Sequence, residues 1–209
     1  MVAILYPPPT RNISPKWLEL KPGTKLLRIF DPTSFGATAI GFRNYDPISR
    51  FDHQRSDSGK PGVDADRGII YAGFTLKCCI VEVFGDTGII KIAKQRIASI
   101  TLKNSLNLLD LRDSGAWDAG STAAMVSDGR RKLTQAWSRY FYECPELYGE
   151  IDGVIFNNAH NNDEAISLYE RSNSQLSSAE VNELDLGHFT IRESLLSIAN
   201  ELNLLVDVE

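Results

Sequence analysis

Several residue types and patterns are scarce in this chain of 209 residues, and each scarcity excludes a class of protein. Only three cysteines occur, Cys78, Cys79 and Cys144, and they form no CxxC or Cys/His spacing. Neither a disulfide framework nor a zinc site is therefore indicated. We interpret the cysteines as small buried hydrophobic residues of a protein in a reducing cytoplasm. The three histidines are widely separated and predict no metal site.

Long apolar runs and excess basic charge are also missing. No segment approaches the roughly 18 apolar residues of a membrane span. The stretch MVAILYPPPTRN meets three prolines and lacks a basic segment ahead of its apolar residues, so no signal peptide is predicted. The formal net charge is −5, which argues against direct nucleic-acid binding. We expect a cytoplasmic protein without membrane or nucleic-acid contacts, although a local arginine cluster is compatible with a small anionic ligand.

The familiar phosphate-binding and catalytic motifs are absent as well. The sequence contains no GxGxxG after a strand, no Walker loop, no GxSxG elbow and no HExxH, which removes several large enzyme classes. A hydrophobic content of 43% and a charged content of 23% are ordinary for a globular domain.

The pattern along the chain predicts one α+β domain with two appendages. Residues 1–23 are expected to form an extended lead-in, 24–172 the main domain, and 173–209 a C-terminal helical extension packed on it. The segment 53–67 is polar and turn-rich, and loops of this length are often functional. Alternation and helical spacing predict strands at 25–31, 68–72, 100–111 (one or two), 152–158 and 164–170, and helices at 75–85, 131–144 and 183–205.

The segment GIIYAGFTLKCCIVEVFGD (68–86) places one carboxylate, Glu82, in a helix that is apolar nearly all round. Such a helix is typically buried, and the positions three and four residues from Glu82 supply no cation. A buried carboxylate must be hydrogen-bonded, paired or protonated. Two interpretations remain open: this end of the helix reaches solvent, or Glu82 lies in a cleft beside cations that hold an anionic ligand.

Two arginines are candidates for those cations. Arg28 lies inside the apolar strand KLLRIFD, where it either points outward or enters the site, and Arg50 lies between Ser49 and Phe51. Arg43 is interpreted as an ordinary loop charge. The guanidinium fork suits bidentate contact with phosphate or carboxylate. The residues by themselves therefore indicate only that a small-ligand site of Arg, Tyr and Glu is possible.

Four sequence blocks, in the order in which they occur along the chain, resemble the RES family, which comprises bacterial toxins named for an Arg, a Glu and a Ser. LLRIFD is similar to the family's opening strand, and SRFD (49–52) resembles the element that carries the signature arginine, here Arg50. Tyr71 precedes Glu82 by the family's spacing of eleven residues. IDGVIFNNAHNNDEAISLYERS resembles the closing block, with Asn158 at the serine position. The resemblance covers about 24–172, and the 53–67 segment is longer than in compact members, as a lid or partner surface would be.

This resemblance implies a fold and an activity. The fold would be α+β with an ADP-ribosyltransferase-toxin-like β-sandwich core, surrounded by helices. The activity would be cleavage of the nicotinamide–ribose bond of NAD, by hydrolysis or phosphorolysis. The alternatives are ADP-ribosyl transfer to a protein and, because Asn158 replaces the serine, a weakened module that binds a nucleotide or partner without turnover. NAD would be the substrate, with no cofactor or metal. An Xre-type protein antitoxin is the implied partner, and a homodimer is possible.

The resemblance also assigns roles to six positions. Glu82 would stabilise positive charge on the ribose, Arg50 and secondarily Arg28 would hold the pyrophosphate, and Tyr71 would stack on or hydrogen-bond the nicotinamide ribose. Tyr71 is alternatively a core tyrosine, and His160 a turn histidine. The expected catalytic residues are Glu82, Arg50 and Tyr71, and the expected NAD-binding residues are Arg28, Asn158 and His160.

Overall fold

The computed structural model describes residues 4–55, 62–127 and 129–208, and a single large sheet dominates it. The strands are β1 (Trp17–Leu20), β2 (Lys25–Phe30), β3 (Ile69–Gly73), β4 (Ile89–Lys91), β5 (Arg96–Thr101), β6 (Leu106–Asp110), β7 (Gly153–Asn157), β8 (Glu164–Tyr169), β9 (Glu180–Asp185) and β10 (Leu205–Asp207). The helices are α1 (Leu76–Phe84), α2 (Gly115–Asp118), α3 (Arg131–Glu143), α4 (Pro145–Tyr148), α5 (Asn173–Ser177) and α6 (Phe189–Glu201), with 3₁₀ turns η1 (Ala123–Ser127) and η2 (Glu170–Ser172).

The large sheet is mixed and curls around an apolar interior. Its strand order is β1-β6-β7-β8-β3-β2-β5-β9, in which only the β6–β7 pair is parallel, and β4 and β10 form a separate parallel pair. Leu26 of β2 and Ile100 of β5 share one buried cluster with Leu108 of β6 and Ile155 of β7. Strands from distant places in the order therefore meet across the same interior. The expected α+β fold is confirmed.

Most of the predicted elements are present, and the main differences in the long elements lie near the ends of the chain. The strands expected around 25–31, 68–72, 152–158 and 164–170 and the helices expected around 75–85 and 131–144 are confirmed within a few residues. The pattern at 100–111 divides between two strands, β5 and β6. The predicted helix at 183–205 is wrong in its first part, because residues 180–185 form β9 and α6 begins at Phe189.

Tertiary pairing explains the strands that the sequence did not show. β9 pairs along its whole length with β5, and β1, within the expected lead-in, pairs antiparallel with β6. None of the β9 side chains and only one of the β1 side chains is buried, so the apolar pattern of both strands is weak. The domain boundaries at 23 and 172 stay a prediction, but both outer strands belong to the main sheet. The 53–67 segment expected as a lid or partner surface lies partly outside the described residues, since 56–61 are not described.

The C-terminal helix packs on the body of the protein. Leu195 and Ala199 of α6 share a buried cluster with Cys79, Ile80 and Phe84 of α1, so α6 supports the helix that carries Glu82. The amphipathic α3 is likewise buried on one face against the sheet. In the described part of the chain, no helix is long and apolar enough to cross a membrane.

Candidate active site

A cavity of about 450 Å³ opens beside α1, β2 and β3, and it brings together most of the predicted site residues. Its wall includes polar and charged side chains from five separate parts of the chain. These are Arg28, Ser49, Arg50, Tyr71, Glu82, Asp86, Arg131 and His160. Of the six predicted positions, only Asn158 does not line this cavity.

The turn between β3 and α1 sets the position of the catalytic candidates on this wall. The hydroxyl of Thr75 caps α1 by accepting the backbone N–H of Cys78 at 3.0 Å, which satisfies one of the free donors at the helix start. Gly73 permits the close approach of strand and helix, because a Cβ there would lie 2.8 Å from the Cys78 sulfur. Tyr71 on β3 and Glu82 on α1 are thereby held on the same cavity.

Glu82 is exposed on the cavity side of α1. Most of the helix is buried, whereas Glu82 and the adjacent Val83 are exposed. Among the described residues Glu82 makes no ion pair. The cavity walls still remove part of its hydration, which raises the pKa of the Glu82 carboxyl, while Arg50 and His160 act in the opposite direction. Of the two open interpretations, solvation and a cleft position, this geometry combines both.

The two predicted arginines present positive charge that no carboxylate of the described residues neutralises by direct contact. Arg50 donates from Nη1 to the carbonyl of Val126 at 2.7 Å, and Arg28 donates from Nη1 to the carbonyl of Gly41 at 3.3 Å. Burial, with the nearby charge of Arg43, lowers the pKa of Arg28 to about 10. Half-buried guanidinium groups without an ion pair are suited to receive an anionic ligand.

Asp52 organises the loop that carries Arg50, a role that no sequence pattern indicates. Its side chain is fully buried, and Oδ2 accepts the backbone N–H groups of Ile48 and Ser49, each at 2.6 Å. The same oxygen accepts Nη2 of Arg43 at 2.6 Å. The interpretation of Arg43 as an ordinary loop charge is therefore wrong, because it is the ionic partner of a buried carboxylate.

The hydroxyl of Tyr71 belongs to this loop anchor as well. It accepts the backbone N–H of Phe51 at 2.9 Å and donates to Oδ1 of Asp52 at 2.9 Å. Burial and the adjacent Asp52 charge raise the pKa of Tyr71 well above its ordinary value. Its hydroxyl is thus occupied on both sides, and the part of the tyrosine that remains for a ligand is the ring on the cavity wall.

Asn158 is fixed by its own loop. Its Oδ1 accepts the backbone N–H groups of His160 at 2.9 Å and Asn161 at 3.0 Å, and its Nδ2 donates to Oδ1 of Asn161 at 2.7 Å. The residue is buried. This bonding pattern is that of an Asx turn that shapes a loop, and it positions His160 on the cavity rim, where Nε2 lies 3.8 Å from Oδ1 of Asp86.

A second polar network lies behind the Arg50 loop. The fully buried His53 contacts Glu170 through Nε2 at 2.9 Å, and Glu170 also accepts the Tyr142 hydroxyl and the backbone N–H of Gly68. Burial opposes ionisation of Glu170, but these donors outweigh it and lower its pKa to about 2. Burial also opposes ionisation of His53 and therefore lowers its pKa, although the contact with Glu170 acts in the opposite direction.

This network predicts acid sensitivity. The pKa values of Glu170 and His53 are both lower in the folded protein than in the unfolded chain. The unfolded state therefore binds protons more readily, and the free energy of unfolding falls as pH decreases. The Glu170 contribution, roughly 3 kcal/mol from the difference between 4.5 and about 2, is fully present above pH 5 and is lost as pH falls towards 2. Urea unfolding at a series of pH values measures this. A Glu170→Gln variant with an unchanged slope between pH 5 and 3 would contradict the assignment.

The cysteines and potential metal ligands add no further chemistry. Cys78 and Cys79 are free and buried, as expected, whereas Cys144 is only partly buried. Burial raises the pKa of both buried thiols to about 12, which leaves them protonated and unreactive. Within the ranges that the structure describes, no group of three or more His, Cys, Asp or Glu side chains is placed to hold a metal ion.

The curled sheet carries a cavity that is lined by three arginines, Glu82 and Asp86. A sequence model of the RES domain family matches residues 25–191, most of the chain. This chain belongs to the RES domain family. That family is associated with NAD-processing enzymes and with toxin–antitoxin systems. No curated protein matches the chain.

Proposed function

We propose that this protein cleaves the nicotinamide–ribose bond of NAD, with water or phosphate as the acceptor. The observation that carries the proposal is the position of Glu82, which faces the cavity on the same wall as Arg50 and has no ionic partner in direct contact among the described residues. A carboxylate and guanidinium groups that the described residues leave without ion pairs match a substrate that carries a pyrophosphate and develops positive charge during the reaction.

The chemistry requires a negative charge near the reacting ribose. When the C1′–N bond breaks, both bonding electrons move to the nicotinamide nitrogen and neutralise its pyridinium charge. Positive charge then develops on C1′ and the ring oxygen, as in glycoside cleavage. A carboxylate placed there stabilises this charge more than that of the ground state. Water adds at C1′ and releases a proton to give ADP-ribose. Phosphate would add at the same carbon and give ADP-ribose phosphorylated there.

The arginines would bind the part of the substrate that does not react. Arg50 and Arg28 lie on the cavity without ion pairs among the described residues, and Arg131 lines the same cavity with Nη1 bonded to the carbonyl of Ile48 at 2.9 Å. Bidentate guanidinium–phosphate contacts fix orientation as well as charge. Binding energy from the pyrophosphate is thereby available to position the ribose against Glu82.

The direct test is incubation of the purified protein with NAD labelled in the adenosine part. Release of nicotinamide with labelled ADP-ribose supports hydrolysis, and a phosphate-dependent rate with a phosphorylated product supports phosphorolysis. Label retained on protein would replace the proposal by ADP-ribosyl transfer. Binding of NAD by calorimetry with no loss of NAD over hours would replace it by a binding module.

The family's association with toxin–antitoxin systems supports a partner proposal as well. A protein antitoxin of the Xre type would neutralise the activity by covering the cavity. Co-expression of the chain with such a protein, encoded beside it, is expected to restore NAD content and growth.

Light scattering of the purified chain decides whether it forms a homodimer.

A further inference from the structure

A second cavity of about 440 Å³ adjoins the first one and is not explained by the roles given so far. Ala159 and His160 line both cavities. The remaining wall comes from η1, from the start of the segment after β6, and from the loop after β7. Its other residues include Arg112, Asp113, Ala123, Val126, Ser127 and Asn157.

The charge of this second cavity differs from that of the first. Its arginine, Arg112, is held by Asp110 at 2.6 Å and by Glu164, so two carboxylates already neutralise it. Asp113 adds a further negative charge to the wall. A phosphate group would meet no free cation there among the described residues. The cavity therefore suits a neutral group rather than a second anion.

The side chains that remain are amides and small apolar groups. Asn157 donates from Nδ2 to Oδ1 of Asn162 at 3.2 Å, while the buried Oδ1 of Asn157 has no hydrogen-bond partner among the described residues. Because that oxygen is buried, a ligand in the cavity does not reach it. The amides of Asn158 and Asn161 on the same wall are bonded within their own loop. Ala123 and Val126 offer apolar surface on the same wall. Apolar surface without a free charge fits the face of a neutral heteroaromatic base.

The connection between the cavities follows the order of groups in a dinucleotide. Glu82 and Arg50 lie on the first cavity, and the guanidinium of Arg50 is bonded to the carbonyl of Val126, a residue of the second. A pyrophosphate on Arg50 would thus lie at the entrance to the second cavity. The first cavity alone is in the lower half of the size range of about 300–1,000 Å³ for ligand sites, so a dinucleotide uses both.

We infer that the second cavity is the subsite for the adenosine half of the substrate, with Ala123 and Val126 facing the adenine base. The inference rests on the proposed function for the identity of the substrate. It makes NAD, rather than a mononucleotide, the preferred substrate, because contacts remote from the reacting bond contribute to transition-state binding.

The test compares NAD with nicotinamide mononucleotide, which has the same reacting bond and lacks the adenosine half. Ala123 is exposed and lines only the second cavity, so Ala123→Trp fills that cavity without disturbing the core. We expect kcat/KM for NAD to fall about 10-fold, the scale of one base contact, with no change for nicotinamide mononucleotide. The control is Ser174→Trp on the exposed face of α5, which is expected to change neither. Ser127→Trp, also exposed on the second cavity, replaces Ala123→Trp if that variant does not fold.

Equal loss for both substrates would place the nicotinamide end in the second cavity and overturn the inference, as would no loss for either. If the wild-type chain cleaves neither substrate, the proposed function fails, and binding decides the subsite separately. In calorimetry, Ala123→Trp should weaken AMP binding about 10-fold and leave ribose 5-phosphate unaffected. Equal AMP affinity for the wild type and the variant, or no AMP binding to the wild type, would also overturn the inference.

Discussion

Replacement of Glu82 by glutamine is expected to lower the rate of NAD cleavage by roughly 10²- to 10³-fold, the effect of removing one preorganised electrostatic group. Glutamine keeps the size of the side chain and its position on the exposed face of α1, so the fold and the melting temperature should not change. What is lost is the negative charge beside the developing oxocarbenium ion. The measurement is single-turnover cleavage of NAD by matched protein preparations.

The matched control is Asp86→Asn, since Asp86 is the other carboxylate on this cavity and is highly exposed. A small effect at Asp86 together with a large effect at Glu82 identifies charge at one position rather than the total charge of the rim. A Glu82→Gln enzyme that works at the wild-type rate would show that the mechanism is wrong.

The pH profile gives independent information on the same group. The cavity raises the pKa of Glu82 above its ordinary value of 4.5, and only the ionised form stabilises positive charge. Activity should therefore fall on acidification, and the midpoint of that fall should lie at a higher pH than for an ordinary glutamate. The acid limb of kcat/KM reports this pKa in the free enzyme. An acid limb at or below pH 4.5 would assign the limb to another group.

Asp52→Ala is expected to lower the free energy of unfolding by about 3 kcal/mol and to weaken NAD binding. Removal of a buried carboxylate leaves Arg43 without its partner and deprives the backbone N–H groups of Ile48 and Ser49 of their acceptor. The loop that presents Arg50 then loses its anchor. Because the proposed role of Arg50 is to bind the pyrophosphate rather than to act at the reacting bond, KM should rise more than kcat falls. Urea unfolding and steady-state kinetics measure the two effects.

Asp66→Ala is the matched control, because Asp66 is an exposed carboxylate that pairs with Arg55 in the same polar region. Exposed pairs contribute about 0–1 kcal/mol, so little loss of stability and no change in KM are expected. The link to Arg50 is tested by a double-mutant cycle with Arg50→Ala. If Asp52 acts through Arg50, Asp52→Ala adds no further increase in KM once the Arg50 side chain is absent. Fully additive increases in KM would show that Asp52 stabilises the protein in general rather than acting through Arg50.

Local residue spacing best predicts the placement of candidate site residues that lie in one short segment of the chain. The strand 69–73, the helix 76–84 and the cap at Thr75 follow from adjacent residues, so Tyr71 and Glu82 were correctly expected to come from one strand–helix unit. The match of the RES domain model to residues 25–191 rests on the same kind of ordered blocks. Asn158 shows the limit of this approach, because an alignment identifies a position but not whether its side chain is already bonded to its own loop.

The sequence by itself determined that this is an α+β domain of RES type with a glutamate in an apolar helix that has no local partner. Only the tertiary structure decided that Glu82 is exposed to a cavity, that Arg43 pairs with the buried Asp52, and that β9 completes an edge of the sheet. The physical reason is range. Caps, turns and periodicity depend on neighbours within a few residues, whereas burial and ion pairing depend on groups that the curled sheet brings together from distant parts of the chain.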